Sequence, residues 1–290
     1  MLEGTTLAAA LALLAAASFG LVPHVQSKGL DTNDALTGSK INMAAVVAIG
    51  LLLSPFYLDW SMLQARGAWI YAIIGVFFPF LSMQLQYAAI LRVGPSITSA
   101  LGSFTPLFAI FPAIILFGEV VSLTGWVGIA LMTLGLLAAA MRSRGVPRSF
   151  QLWALALPLG AAAIRGIMMP ALKVGQETAP NPLFAFLIMA SVSTLMIFGV
   201  HVIRRETLGK PNIGWLWFAG SGGVQLLGLI FLAMALNAGD VAIVSPLSSV
   251  SPICALLYGA LIFKRETLDT RHVAVAILVV VGAILLVTRW

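Results

Sequence analysis

The sequence predicts an all-α membrane protein: ten transmembrane helices forming two inverted five-helix repeats around a central cavity. Three observations point there. Charged residues make up 9% of the 290 residues and hydrophobic ones 60%, with a mean hydropathy of +1.04, whereas a soluble globule needs roughly 25% charged residues to wet its surface. The apolar residues lie in long runs that are apolar on every side, as lipid-facing and bundle-core helices require. The second half of the chain also repeats features of the first at a nearly constant offset. The strict alternation of a membrane β-barrel, in strands of about ten residues, is absent.

The apolar runs fall at roughly 6–26, 39–58, 68–91, 94–117, 122–141, 150–173, 182–203, 213–236, 241–263 and 270–288. Each is close to the ~20 residues needed to cross a bilayer. The first run lacks the positive region that precedes the apolar core of a signal peptide: it contains Glu3, and its first basic residue is Lys28. It is read as the first membrane helix. Turn and charge signals separate the runs at 28–33, 59–67, 142–148, 204–212 and 264–271.

The repeat is carried by residues in order. Pro23 recurs as Pro170, Ser99, Ser103 and Pro106 as Ser245, Ser249 and Pro252, Glu119 as Glu266, and Gly135 as Gly282, at an offset of 146 or 147. One match is cheap, but several at one offset imply duplication. The breakpoint falls in the basic link 142–148, giving a first repeat over 1–145 and a second over 146–290. Five helices per repeat invert the second relative to the first, an arrangement that places a substrate site near the midplane between the halves.

Lys and Arg set the expected orientation. Lys28, Lys40, Arg92, Arg142, Arg144, Arg148, Arg204, Arg205, Lys210, Lys264, Arg265 and Arg271 flank the odd-to-even connections, whereas Arg66, Lys173 and Arg289 flank the opposite side. This bias puts both termini on the extracytoplasmic side, and it also explains the net charge of +6 without nucleic acid. Trp60, Trp69, Trp126, Trp153, Trp215 and Trp290 lie near span ends and read as interfacial anchors. The single cysteine, Cys254, supports neither an intrachain disulfide nor a metal cluster.

Several features together resemble the drug/metabolite transporter superfamily, in its ten-helix EamA-like branch. They are Tyr87-Ala88-Ala89 to Val93, the Ser-rich stretch 96–105 running into Pro106-Leu107-Phe108, Gly118-Glu119, and the spacing of Gly125, Gly128 and Gly135. The second copy keeps Met234-Ala235-Leu236, Ser245 to Pro252 and Glu266, but has Lys264-Arg265 where the family usually has Gly before the Glu. The resemblance implies an exporter of small metabolites, many of them amino acids, in the plasma (bacterial inner) membrane.

The candidate site follows from the polar residues inside the spans. All ten acidic residues fall at helix ends or in loops. An ionised group at the bilayer centre costs several kcal/mol and is kept where it is needed, so the pattern speaks against export of organic cations, the multidrug alternative. Arg165 is the exception, within the sixth span. It either snorkels and caps carbonyls freed by Pro170 or faces the cavity and binds a carboxylate with its fork. Phe80, Gln84 and Tyr87 are spaced i, i+4, i+7 and share one helical face. Gln84, like Gln225 in the eighth span, is either interhelical glue or a substrate contact.

The stripes Ser96, Ser99, Ser103 and Ser245, Ser248, Ser249 either let helices pack closely or line the pathway. Pro106 and Pro252, and likewise Pro23 and Pro170, are candidate bends or hinges. His24 is either a proton relay or a simple hydrogen-bonding group. Glu119 and Glu266 are read as structural, accepting hydrogen bonds from the N-terminus of the helix that follows each. No cofactor or metal is expected. The chain lacks His-Glu-x-x-His, Gly-x-Ser-x-Gly and paired membrane carboxylates, which argues against a membrane-embedded enzyme. A channel or a lipid-handling protein is the remaining alternative to a carrier working as a monomer. The amino acid carried and the energy source are left open.

Overall fold

A computed structural model describes residues 2–140, 152–203, 211–263 and 270–288. The basic link 142–148, the loops holding Arg204, Arg205, Lys210, Lys264, Arg265 and Glu266, and the terminal Arg289 and Trp290 lie outside the described residues. The described chain is almost wholly helical. In order it forms α1 (Leu2–Leu30), α2 (Ala35–Tyr57), α3 (Arg66–Gly75), α4 (Ser82–Gly102), α5 (Thr105–Phe117) and α6 (Leu123–Ala140). The second half forms α7 (Ala156–Gln176), α8 (Pro182–Ile203), α9 (Ile213–Ala238), α10 (Val241–Ser248), α11 (Ser251–Leu257) and α12 (Thr270–Thr288). Seven described segments are long and apolar enough to cross a membrane, and Thr105–Phe117, Leu123–Leu137 and Ile277–Val287 are shorter apolar helices. Large apolar side chains such as Leu52, Phe56, Ile115, Leu195, Leu216 and Ile277 point outward, as a lipid-facing belt requires, while Tyr71, Phe184, Phe186 and Met189 are fully buried.

One stretch departs from the expected runs. In place of two apolar helices over 68–91 and 94–117, the chain forms α3, a π-helical turn Val76–Leu81, α4 and α5. The helical path bends at Phe78 (φ −130°, ψ 129°), beside Pro79. It then runs through Arg92 and Pro95, where a connection was expected, and turns at Ser103–Phe104. A proline inside a membrane helix is tolerated when neighbouring helices satisfy the freed carbonyl, and α4 packs along both α7 and α6. In the second half the matching segment α9 is unbroken from Ile213 to Ala238, and the chain turns at Gly239–Asp240.

The two halves interlock. The first helix of each packs on the far segment of the other: α1 on α11, and α7 on α5. Close approach at both crossings depends on glycine. A Cβ on Gly20 of α1 would lie 2.7 Å from Cys254 Cβ and 2.8 Å from both Ala255 N and Ser251 O. A Cβ on Gly166 of α7 would lie 2.6 Å from Phe108 Cβ and Thr105 O and 2.9 Å from Ala109 N. Each residue in the second set is the first-set counterpart displaced by 146 in one direction or the other, so one crossing reproduces the other. Gly75 against Met189 and Val192, and Gly222 against Asn42 and Ala45, form a second such pair.

Glu119 has a different partner from the one expected. Its carboxylate does not cap α6, the next helix in sequence. Val241 N–H donates to Glu119 Oε1 at 2.9 Å and Ala242 N–H to Oε2 at 3.0 Å, so a first-half carboxylate caps α10 of the second half. The exposed N–H groups and dipole of a helix N-terminus make this a favourable place for a negative charge. Lys173, expected at the end of the sixth span, sits in the last turn of α7. Its ammonium lies 3.2 Å from Glu119 Oε1, 3.8 Å from Asp240 Oδ1 and 4.9 Å from the Phe117 ring centre, and donates to Gly239 O at 3.1 Å.

Candidate functional site

The same local sequence builds both walls of a central cavity. α4 ends at Gly102 and α10 at Ser248, and a two-residue turn leads each chain into the next helix. The hydrogen bonds of the two turns correspond. Phe104 N–H donates to Leu101 O and Val250 N–H to Leu247 O, both at 3.2 Å. Leu107 and Phe108 N–H donate to Phe104 O at 3.0 and 3.4 Å, while Ile253 and Cys254 N–H donate to Val250 O at 2.8 and 3.3 Å. Hydroxyls take up carbonyls near the helix ends, with Thr105 Oγ1 donating to Gly102 O at 2.8 Å and Ser248 Oγ to Ser245 O at 3.0 Å. Such back-bonding competes with the helical ladder and favours termination. Pro106 and Pro252 lie in the first turn of the helix after each break. There the missing N–H costs no hydrogen bond, so they start helices rather than bend them. Pro23 and Pro170 lie inside α1 and α7, which continue past them.

The cavity has a volume of about 440 Å³, within the range of small-molecule sites. Its lining includes residues at matching repeat positions: Phe19 and Arg165, Val22 and Met168, Phe78 and Gln225, Gly102 and Ser248, Ser103 and Ser249, Thr105 and Ser251. Gln86, Thr98, Leu136, Met169, Leu229, Leu232 and Pro252 complete it. Arg165 is the one charged residue among the lining residues. Its Nη1 donates to Gln86 Oε1 at 2.6 Å, and among the described residues no carboxylate pairs with it. A Cβ on Gly102 would lie 3.4 Å from Arg165 Nη2, so the glycine leaves room beside the guanidinium.

Of the residues singled out from the sequence, Arg165, Ser103, Gln225, Ser249 and Pro252 line this cavity. Gln84 is exposed, and neither it nor Phe80 lines the cavity. Phe80 lies just after the bend at Phe78, and on the helix that follows Gln86 rather than Gln84 faces Arg165. The side chains of Tyr87 and Ser99 lie outside the described residues. Ser245 is fully buried behind the lining, and its carbonyl accepts from Ser249 Oγ at 2.8 Å. His24 ties α1 to α11: its Nε2–H donates to Ala255 O at 2.7 Å, and its ring stacks on Phe263 at 4.7 Å. The sequence reading missed Phe19, Phe78 and Gln86. An offset of 146, extended from the serine stripes back to α1, pairs Arg165 with Phe19. Ser18 Oγ donates to Leu14 O of its own helix.

A solved structure titled "Crystal structure of protein" superposes on 98% of this chain and 96% of its own with a TM-score of 0.78, at 16% sequence identity. That likeness shows the fold. No curated protein matches the sequence. The family model described as "EamA-like transporter family" matches twice, over residues 6–141 and 152–288. With a match to each half of a helical, apolar-surfaced chain, this protein is an integral membrane protein that belongs to the EamA-like transporter family.

Proposed function

We propose that this transporter exports amino acids or related small carboxylate-bearing solutes from the cytoplasm by alternating access. Arg165 carries the reading: it is a guanidinium on the wall of a cavity between two repeats, and its fork is held by a neutral amide. An unneutralised charge in a low-dielectric site is costly, and a carboxylate that accepts two parallel hydrogen bonds from the guanidinium offsets that cost. The two broken segments supply hydroxyls around it, as discontinuous helices do at transporter binding sites. The Glu119–Lys173–Asp240 cluster fastens α5, α7 and α10 together at one end, and opening at that end separates Lys173 from one of its partners. The Lys and Arg bias places both termini outside the cytoplasm, in the plasma or bacterial inner membrane. A single chain holds both walls of the cavity, in keeping with a working monomer.

The test is uptake into proteoliposomes against a panel of amino acids and related carboxylates, with and without a pH gradient. Saturable flux of at least one is expected, and Arg165→Ala should abolish it while the variant stays folded and inserted. Saturable flux of none, or normal flux by the variant, overturns the reading.

A further inference from the structure

The cavity has a charge and a division of its walls that specify more than a carboxylate. On the second-half side stand Arg165 and Gln225, and at the matching first-half positions stand Phe19 and Phe78. A duplicated scaffold thus carries a cation and an amide in one repeat at the positions where the other carries two aromatic rings. Phe78, Gln225 and Leu229 also border a small apolar recess lined by Met43, Phe186 and Met189. The polar groups other than Arg165 are neutral: the amides of Gln86 and Gln225 and a group of hydroxyls. Among the described residues no carboxylate lines the cavity, and every described acidic residue lies at a helix end or in a loop.

Resting on the carboxylate reading above, we infer that the site is matched to an amphipathic monoanion, an organic acid with an apolar body, and that it gains nothing from an α-ammonium group. Charge balance sets this preference. A monocarboxylate brings the occupied cavity to neutrality, the state of lowest cost in a low-dielectric enclosure. A zwitterion also supplies the carboxylate, but it carries in an ammonium that must exchange water for hydroxyl and amide acceptors, and the occupied site keeps a net positive charge. An amine without a carboxylate places a second positive charge beside Arg165. Phe19, Phe78 and the aliphatic side chains of the cavity then accept the body of the solute, with favourable burial of its apolar surface.

Three ligands sharing one phenyl skeleton separate these cases: phenylpropanoate, phenylalanine and phenethylamine. Binding of each to the purified full-length protein in detergent, measured by calorimetry, avoids the passive leak of weak acids across liposomes. Phenylpropanoate is expected to bind about tenfold tighter than phenylalanine, with no binding of phenethylamine. Gln225→Glu adds a carboxylate to the wall and should shift the ratio of affinities toward phenylalanine. Tighter binding of phenylalanine than of phenylpropanoate by the natural chain overturns this inference and leaves the carboxylate reading standing, as does an unchanged ratio in Gln225→Glu. Binding of neither acid, or preferred binding of phenethylamine, overturns both.

Discussion

Where the first half of the chain puts Phe19, Val22 and Phe78 on the cavity wall, the second half puts Arg165, Met168 and Gln225 at the matching positions. The backbone agrees around the first two pairs, which lie within α1 and α7, and departs at the third, where the first half bends at Phe78 while α9 is unbroken. Both halves break a helix at the same place, close the break with the same hydrogen bonds, and cross the partner half at a glycine in the same register. Duplication has preserved what builds the cavity, and divergence is concentrated in what faces the solute. A symmetric pair of walls would offer a solute two equivalent orientations. A cation facing an aromatic ring removes that equivalence, because only one orientation places a carboxylate on the guanidinium and apolar surface against Phe19.

Exchanging the two side chains puts that comparison to its hardest test. Arg165→Phe alone removes the anchor and should lower the affinity for a carboxylate ligand at least about a hundredfold, or roughly 2.7 kcal/mol. Phe19→Arg alone keeps the anchor and adds a second positive charge, so carboxylate binding should survive in it. In the Phe19→Arg/Arg165→Phe double variant the two positions trade roles, and binding should recover by at least about tenfold over Arg165→Phe. The natural site keeps an advantage because Gln86 is placed to hold Arg165, at 2.6 Å, whereas its repeat counterpart is Ala233. Calorimetric titration of the three variants reads this directly, and a double variant no better than Arg165→Phe would show that the two positions are not equivalent in geometry.

Crossed ties between the halves come next in size. Glu119 belongs to the first repeat, yet its hydrogen bonds go to α10 and its ion pair to α7, both in the second. Glu119→Gln keeps an acceptor for one N–H but loses the charge that Lys173 and the start of α10 both use. Hydrogen bonds to charged groups contribute about 1.5–3 kcal/mol, so a loss of about 2 kcal/mol in unfolding free energy is expected. Thermal or denaturant unfolding in detergent measures it. Lys173→Met should cost less than this when added to Glu119→Gln than when made alone, since its partner is already neutral.

The sequence makes the fold class and the cavity-forming breaks legible because their signals are local and doubled. Long apolar runs mark the spans, and Ser103–Pro106 and Ser249–Pro252 mark two equivalent breaks. The third span is less legible for a physical reason. Both Pro79 and Gly94–Pro95 are turn signals within apolar sequence, and only packing decides that the bend falls at the first while α4 continues through the second. Gln84 and Gln86 are about 200° apart around α4, so they stand on nearly opposite faces, and Gln86 is the one that meets Arg165. The partner of Glu119 is not readable from its neighbours either, because α10 follows it by more than a hundred residues.

The finest test of the comparison asks whether equivalent contacts carry equivalent energies. Gly20 and Gly166 sit at repeat-related crossings, and a methyl group on either would meet both a side-chain carbon and backbone atoms at under 3.0 Å. Backbone atoms in a helix cannot rotate aside as a flexible side chain can, so the helices must separate. Gly20→Ala and Gly166→Ala should therefore each cost about 1–3 kcal/mol, the range for overpacking a tight contact. The neighbours differ in one respect: Gly20 meets the Cβ of Cys254, whereas Gly166 meets that of Phe108, the bulkier of the two and the harder to displace. Gly166→Ala should accordingly be the costlier by about 0.5 kcal/mol, at the lower end of what one added carbon contributes in a packed interior. Equal unfolding free energies would mean that the backbone alone sets the cost at both crossings. A large cost at one crossing and none at the other would show that the two helices are not held by the same contact.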